Sequence, residues 1–147
     1  GHSQAMKKRP SMQFAVYFQN SEMTMAIKSI LMIDDDLQIS RLVRFILESA
    51  KYKVRTANNG EQALLLLAAE KPDLIFCDVA MPIMDGFMTV QAVRSNPAWH
   101  DVPIIMLTAL GDVRDLDRAF SAGANGFLGK PFSPKEMLAT VAQLSDA

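Results

Sequence analysis

The chain has 147 residues, of which 50% are hydrophobic and 21% are charged, and its formal net charge at pH 7 is −1. This length and composition are typical of one water-soluble globular domain and leave too little chain for two full-sized domains. A near-neutral chain also lacks the excess of basic residues with which nucleic-acid-binding domains attract phosphate groups. The sequence therefore predicts a single domain without direct nucleic-acid contacts.

The first 28 residues differ in charge from the rest of the chain. Their only acidic residue is Glu22, so residues 1–28 are net positive and residues 29–147 are net negative. Their basic residues are Lys7, Lys8, Arg9 and Lys28. Gly1-His2-Ser3 is similar to the remnant of a cleaved affinity tag, so we predict that residues 1–28 are a tag remnant and a flexible extension and that residues 29–147 are the domain. The apolar run at residues 14–18 is left open between a short strand, a helix, a partner contact and a disordered segment.

Cys77 is the only cysteine in the sequence. A lone cysteine cannot form an intramolecular disulfide or a cysteine metal cluster, which fits a reducing, cytoplasmic location. Because it lies in an apolar run, we expect it to be a core residue. No apolar stretch approaches the roughly 18 residues of a membrane-spanning helix, so the sequence predicts no membrane insertion.

From residue 29 onward, short apolar runs alternate with longer segments in which apolar residues recur at helical spacing. This alternation is typical of repeated strand–helix units in a parallel sheet. In chain order, the predicted elements are a strand at 30–33, a helix at 39–50, a strand at 53–56, a helix at 63–68, a strand at 74–77, a helix at 87–93, a strand at 103–107, a helix at 113–120, a strand at 127–128 and a helix at 134–144. Gly123 is predicted to end the fourth helix, and Ser133 with Glu136 forms a capping-box pattern at the start of the fifth.

Polar residues stand at the carboxyl ends of four of the five predicted strands. Asp34, Asp35 and Asp36 follow the first strand, Asp78 the third, Thr108 the fourth and Lys130 the fifth. Five strand–helix units form an open, doubly wound sheet, since a closed barrel needs eight, and ligands bind such sheets beyond the carboxyl ends of the strands. We therefore expect these side chains to converge on one crevice.

Carboxylates that converge on one crevice repel one another unless a cation neutralises them. An all-oxygen ligand set favours Mg²⁺, with Mn²⁺ as an alternative, over zinc. A carboxylate is also a competent nucleophile toward phosphorus and can form an aspartyl phosphate. Lys130 would then contribute a positive charge for phosphate oxygens, and Thr108 a hydrogen-bond donor. Each residue alone also fits a structural role, such as a helix cap or a surface lysine, so the prediction depends on their co-location.

Four short segments share this order and spacing with a known family. They are Ile33-Asp34-Asp35-Asp36, Asp78-Val79-Ala80-Met81-Pro82 with Asp85-Gly86, Leu107-Thr108-Ala109, and Gly129-Lys130-Pro131-Phe132. With these segments, residues 29–145 resemble the receiver domain of bacterial two-component response regulators. The resemblance implies a flavodoxin-like α/β fold, which is a doubly wound, five-stranded parallel sheet of order 2-1-3-4-5 flanked by five helices.

The resemblance implies that Asp78 is the phosphoacceptor. It would take a phosphoryl group from the phosphohistidine of a sensor histidine kinase or a phosphotransfer protein. Lys130 would contact that phosphoryl group, and the Lys130–Pro131 bond is similar to one that is cis in this family.

The resemblance also implies a metal site beside the phosphoacceptor. Asp35 would bind Mg²⁺ directly, together with Asp78 and the backbone carbonyl of Ala80. Asp34 would act mainly through water, and Asp36 would start the following helix.

A conformational switch is the third implication of the resemblance. Thr108 would move toward the phosphoryl group and Phe127 would turn inward, which remodels the face formed by the fourth helix, fifth strand and fifth helix. Phosphorylation adds about −1.5 to −2 charges at neutral pH, enough to shift two states that differ by a few kcal/mol. A downstream target would bind this face, which includes Arg118 and residues 134–141, and a second copy of the chain is a further partner.

Two alternatives stand beside the phosphorylatable switch. One is an interaction module of the same fold that does not use phosphorylation, and the other is the receiver fragment of a longer DNA-binding or enzymatic regulator. A Mg²⁺-dependent phosphatase would carry a second acid two residues beyond its aspartate nucleophile, where this chain has Ala80. We predict no enzyme activity beyond self-phosphorylation and slow self-dephosphorylation at Asp78. The resemblance implies that the residues two positions past Asp78 and Thr108 influence the water that hydrolyses the aspartyl phosphate. These residues are Ala80 and Leu110, which cannot position water by a side-chain hydrogen bond, so decay should be slow.

Overall fold

The computed structural model describes residues 7–8, 16–18, 26–109 and 113–145. In chain order the strands are β1 (Lys7–Lys8), β2 (Val16–Phe18), β3 (Ser29–Ile33), β4 (Lys53–Ala57), β5 (Leu74–Asp78), β6 (Ile104–Ala109) and β7 (Gly126–Lys130). The helices are α1 (Leu37–Ser49), α2 (Gly60–Ala69), α3 (Gly86–Ser95), α4 (Val113–Ala122) and α5 (Pro134–Ser145). The strands form one sheet in the order β1-β2-β7-β6-β5-β3-β4.

The five parallel strands confirm the predicted fold class. β4, β3, β5, β6 and β7 are neighbours in that order and each pair is parallel, which is the order 2-1-3-4-5 when they are counted along the chain. Four strands, β4, β5, β6 and β7, end later than predicted. The backbone ladder continues through Ala57, which pairs with Ile33, through Asp78, which pairs with Leu107, and through Thr108, which pairs with Gly129. Asp78 and Lys130 are therefore the last residues of their strands, and Thr108 lies inside β6.

Two short strands of the N-terminal segment extend the sheet beyond β7. β2 runs antiparallel to β7, with Val16 opposite Leu128, Tyr17 opposite Phe127 and Phe18 opposite Gly126. β1 runs antiparallel to β2. Of the alternatives left open for residues 14–18, the structure has a strand at Val16–Phe18. The flexibility of residues 1–28 stays a prediction.

The core lies in two layers, one on each face of the sheet. Every residue of β5 is buried, as expected for a strand covered on both sides. Successive side chains of a strand point to opposite faces, so Leu74 and Phe76 pack into one hydrophobic cluster while Ile75 and Cys77 pack into the other. The prediction that Cys77 is a core residue is confirmed, and burial raises the pKa of its thiol.

The helix ends follow the predicted capping signals. Ser133 Oγ accepts from the Glu136 backbone N–H at 3.1 Å, and the Glu136 carboxylate accepts from the Ser133 N–H at 2.6 Å, which is a capping box. Gly123 has φ of 115°, and its N–H donates to the Phe120 carbonyl at the end of α4. Among the described residues, none of the helices combines the length and apolar character needed to cross a membrane.

Candidate functional site

Three carboxylates meet at the carboxyl ends of two neighbouring strands. Asp34 and Asp35 follow β3, and Asp78 is the last residue of β5, which pairs with β3. One oxygen from each carboxylate can be chosen so that all three lie within 4.8 Å of one another. Asp34 and Asp78 are buried and Asp35 is exposed. The convergence expected from the sequence is present in the structure.

Lys130 brings a positive charge to these carboxylates from the end of β7. Its Nζ donates to Asp78 Oδ1 at 2.7 Å and to Asp34 Oδ2 at 3.3 Å. The predicted cis geometry of the Lys130–Pro131 bond is confirmed. Lys130 thus connects the first, third and fifth predicted strands through one ammonium group.

Burial dominates the electrostatics of Asp78. It raises the pKa of this carboxyl, and the negative charges of Asp34 and Asp35 raise it further, whereas the hydrogen bond and charge of Lys130 only partly offset them. Burial by itself lowers the pKa of Lys130, but its hydrogen bond to Asp78 and the charges of Asp34 and Asp78 outweigh that effect and raise the pKa. The cluster therefore holds more negative charge than a single lysine can neutralise.

A divalent cation fits this excess of negative charge. Three carboxylates, two of them buried, present only oxygen donors. Hard cations such as Mg²⁺ prefer oxygen ligands and typically use one or two carboxylates together with water and phosphate oxygens. The donor set therefore matches the predicted class of metal.

Backbone contacts fix the position of Asp34. Its N–H donates to the Ala57 carbonyl of β4 at 3.0 Å, and its Oδ1 accepts from the Asp36 N–H at 2.9 Å. The Ser40 hydroxyl donates to the Asp34 carbonyl at 3.3 Å. Asp34 is thus anchored by the adjacent strand and by the first turn of α1.

Asp36 lies next to the cluster in sequence but serves the helix. Its Oδ1 accepts from the backbone N–H groups of Gln38 and Ile39 at 2.9 and 3.3 Å, which makes it the N-cap of α1. This agrees with the role that the resemblance gives to Asp36, as the residue that starts the helix. The helix begins at Leu37, two residues before the predicted start, because this cap precedes the apolar pattern.

The predicted switch residues, Thr108 and Phe127, are both buried. Thr108 is buried in β6, between β5 and β7. Phe127 is 4% exposed and belongs to the hydrophobic cluster on the face that carries α3. Ala80 is exposed in the loop between β5 and α3, and Leu110 lies outside the described residues. The structure thus brings Asp34, Asp35, Asp78 and Lys130 into contact range and places Thr108 in the strand between Asp78 and Lys130.

Gly86 has a role at the site that the sequence reasoning did not derive. Its N–H donates to the Val79 carbonyl at 2.8 Å, so the loop after Asp78 folds back onto the end of β5. A methyl group at this position would collide with the carbonyl oxygen of Asp78 and lie 2.7 Å from the Met106 side chain. In the sequence, the pair Asp85-Gly86 is the pattern that could have indicated this turn. Asp85 is the N-cap of α3, and its side chain accepts from the Met88 N–H.

A contact between α3 and α4 was also missed. The Arg118 guanidinium lies over the ring of Phe87, 4.0 Å from its centroid, in a cation–π arrangement. Phe87 directly follows Gly86, and Arg118 is exposed on α4. This contact therefore connects the predicted partner face to the loop beside Asp78. Sequence patterns do not indicate the contact, because Phe87 and Arg118 are 31 positions apart.

Comparisons with known proteins agree with the site. A family model described as "Response regulator receiver domain" matches residues 30–142. The chain is similar to the chemotaxis protein CheY4 of Vibrio cholerae, with a TM-score of 0.77 and 36% sequence identity over 81% of this chain and 99% of that chain.

Several curated relatives are longer than this chain. "Probable transcriptional regulator ycf27" of Cyanophora paradoxa is 44% identical over 117 residues, which is 80% of this chain and 48% of that protein. "DNA-binding dual master transcriptional regulator RpaA" of Synechocystis is 44% identical over 115 residues, covering 78% of this chain and 48% of that protein. The chain thus spans about half the length of these relatives.

Proposed function

The chain belongs to the response regulator receiver domain family, and we propose that Asp78 accepts a phosphoryl group from the phosphohistidine of a sensor histidine kinase or a phosphotransfer protein. The observation that carries this proposal is the 2.7 Å contact between Lys130 Nζ and Asp78 Oδ1. A buried carboxylate that faces both a lysine and two further acids is suited to receive a phosphoryl group, because its surroundings can bind the transferred oxygens.

Transfer is a displacement at phosphorus. An oxygen of the Asp78 carboxylate attacks the phosphorus atom, a new P–O bond forms, and the P–N bond to the donor imidazole breaks with its electron pair going to nitrogen. Lys130 then exchanges its contact with the carboxylate for contacts with phosphoryl oxygens. The ion pair with Lys130 acts against the other influences on the pKa of Asp78 and favours its nucleophilic, ionised form.

Asp34, Asp35 and Asp78, with the backbone carbonyl of Ala80, are the groups that would hold Mg²⁺, or Mn²⁺ as the alternative. When bound, the cation supplies positive charge against the phosphoryl oxygens. Asp35 is the exposed member of the set and is the direct ligand in this proposal, while the buried Asp34 acts mainly through water. Asp34 is not assigned as a direct ligand because its carboxylate already accepts hydrogen bonds from Lys130 and from the Asp36 N–H.

The same site would drive the output of the domain. Thr108 lies on the strand between Asp78 and Lys130, so its hydroxyl can move toward a phosphoryl group on Asp78. Phe127 is already buried, and we propose that this movement holds its ring inward. The target-binding face would then be formed by α4, β7 and α5, with Arg118 and the exposed residues of 134–141, Pro134 and Lys135, at its surface.

The whole protein's activity extends beyond this domain in our proposal. RpaA is described as a DNA-binding transcriptional regulator, and the chain matches about half of it. We therefore propose a receiver unit of a longer transcriptional regulator, in which DNA contacts belong to other parts of the protein. The domain itself would be no enzyme beyond self-phosphorylation and slow self-dephosphorylation, and it would work in the cytoplasm.

Intact mass measurement tests the proposal. The chain is incubated with a small-molecule phosphodonor and Mg²⁺, beside Asp78→Asn and the control Asp85→Asn, which keeps a capping side chain in the same loop. We expect the parent and Asp85→Asn to gain one phosphoryl group and Asp78→Asn to gain none. Uptake by all three proteins would place the phosphoryl group on a residue other than Asp78. Uptake by none would favour the phosphorylation-independent interaction module.

A further inference from the structure

The outer edge of β7 is covered by the chain's own N-terminal segment. β7 would be the edge strand of the five-stranded parallel sheet, but β2 pairs antiparallel with it over three consecutive residues. β1 then pairs with the far side of β2. β7 is therefore an inner strand of the sheet, and its outward backbone groups face a strand of the same molecule.

Without β2, this edge would be open to other strands. Its residues Gly126, Phe127, Leu128 and Gly129 carry no charge and no proline, and Lys130 comes only at the end. An edge strand presents a row of unpaired N–H and C=O groups, and proteins commonly protect such edges with lysine or proline. The outermost strand here, β1, consists of Lys7 and Lys8. The segment thus places two charged residues where the sheet would otherwise end in an uncharged strand.

Chain length allows the cover to form within one molecule. Phe18 pairs with the first residue of β7, and Ser29 is the first residue of β3, so both lie at the amino-terminal end of the parallel strands. β2 and β3 are four strand positions apart, which is about 19 Å. The eleven peptide units between Phe18 and Ser29 can span up to about 36 Å. Intramolecular pairing requires no exchange of segments between copies.

We propose that β1 and β2 form an intramolecular cover over β7, and that a second copy of this chain binds at the same edge when the cover is released. Two identical β7 edges can pair antiparallel about a two-fold axis, because that interface is the same patch on both copies. β2 already demonstrates that the edge accepts an antiparallel strand. A tethered segment competes at a millimolar effective concentration, so the covered chain stays monomeric at micromolar concentrations.

The test uses the full chain with the cover weakened at its backbone. In Val16→Pro/Tyr17→Pro, two consecutive prolines remove donors on both sides of β2, since the N–H groups of adjacent strand residues point to opposite neighbours. The control Val16→Ile/Tyr17→Phe keeps both donors at the same positions. Val16→Gly/Tyr17→Gly weakens the strand without removing donors, and its effect should lie between the two.

Two measurements decide the proposal. On protein diluted until it is monomeric, we expect amide hydrogen exchange at residues 126–128 to be at least about tenfold faster in the proline variant than in the parent and the control. In sedimentation equilibrium, we expect its dimer association constant to rise at least about tenfold as well. Unchanged exchange would show that β2 does not cover β7. Faster exchange without a rise in the dimer association constant would show that a second copy does not bind at the edge. Either result overturns the proposal.

These experiments are made without phosphodonor, so they do not depend on the proposed function. Phosphoryl uptake measured separately on the same variants reports on Asp78 alone. If the proline variant fails to fold, the glycine variant replaces it in both measurements. Cooperative thermal unfolding shows that the glycine variant is folded. Failure of phosphorylation and failure of the cover would therefore be told apart.

Discussion

Lys130 Nζ lies 2.7 Å from Asp78 Oδ1, and the two residues are the last of β7 and β5, with β6 between them. A contact across an intervening strand is possible because the parallel strands end together at one edge of the sheet, where a long lysine side chain can reach over. The same ammonium group also contacts Asp34 at 3.3 Å. Asp78 thus contacts the last residue of β7, the strand with which β2 pairs.

Replacing Asp78 by Asn should stabilise the folded domain at neutral pH in the presence of a chelator. The raised pKa of Asp78 means that its ionised form is less favourable in the folded than in the unfolded chain. Asn removes this buried charge, while Lys130 keeps its contact with Asp34. A gain of about 1 kcal/mol corresponds to an increase in Tm of about 2–4 °C for a chain of this size.

The pH dependence of that gain tests its cause. For a carboxyl with a raised folded-state pKa, the favourable contribution is fully present below the unfolded-state value and is lost as pH rises through the folded-state value. The Tm difference between Asp78→Asn and the parent should thus be largest at neutral pH and vanish in acid, below the ordinary aspartate pKa of about 3.9. Asp101 is the control, because its hydrogen bond to Lys71 lowers its pKa and Asp101→Asn should not stabilise. An Asp78→Asn protein less stable than the parent at pH 7 would contradict this account.

Magnesium should stabilise the chain through Asp35 and not through Asp36. A ligand that binds only the folded state at 100 times its Kd adds about 2.7 kcal/mol. We expect MgCl₂ to raise the Tm of the parent and of Asp36→Asn, since Asn preserves the cap of α1. Asp35→Asn should lose most of the increase. Equal increases in both variants would place the cation elsewhere.

Adding one methyl group at Gly86 should destabilise the domain. The new carbon would collide with the Asp78 carbonyl oxygen and crowd the Met106 side chain, so the loop must shift. Overpacking of this kind costs about 1–3 kcal/mol, which urea unfolding measures as a lower midpoint at constant slope. Gln91→Ala, at an exposed position of the same helix, should stay close to the parent. If Gly86→Ala unfolds at the same urea concentration as Gln91→Ala, the close approach at Gly86 does not matter.

The aspartyl phosphate should decay slowly. Ala80 is exposed beside Asp78 and has no side-chain group that could orient a water molecule. In Ala80→Asn/Leu110→Glu, polar groups are supplied at both positions, and we expect decay about tenfold faster or more. Ala80→Gly/Leu110→Met adds no such group and should keep the parent rate. Loss of the phosphoryl mass over time gives both rates, and an unchanged rate in the first variant would show that these positions do not control the water.

The crevice could be predicted from sequence because its cause is local. Four of the five apolar runs are followed by a polar residue, and parallel strands bring their carboxyl ends to one edge of the sheet, so Asp34, Asp78 and Lys130 were expected to converge. The polar residues that indicated the site also led to predicted strands that end too early. Polarity marks where the apolar run stops, whereas the backbone ladder continues through Thr108.

Other contacts depend on tertiary packing and leave no pattern in the sequence. The Arg94 guanidinium donates to the carbonyls of Gly123, His100 and Val102 and to Asn125 Oδ1, joining α3 to the loops that precede β6 and β7. A single arginine on a helix gives no indication of these partners. The pairing of β2 with β7 is equally invisible, since it joins residues more than 100 positions apart.

The central claim is that Asp78 itself carries the phosphoryl group, and reductive mapping tests it most directly. After incubation with phosphodonor and Mg²⁺, borohydride reduces an aspartyl phosphate to homoserine, and peptide mass spectrometry then locates the altered residue. We predict conversion at Asp78 and at no other acid of the cluster. Conversion at Asp34 or Asp35, or an unaltered Asp78 in protein that has gained a phosphoryl group, would contradict the account.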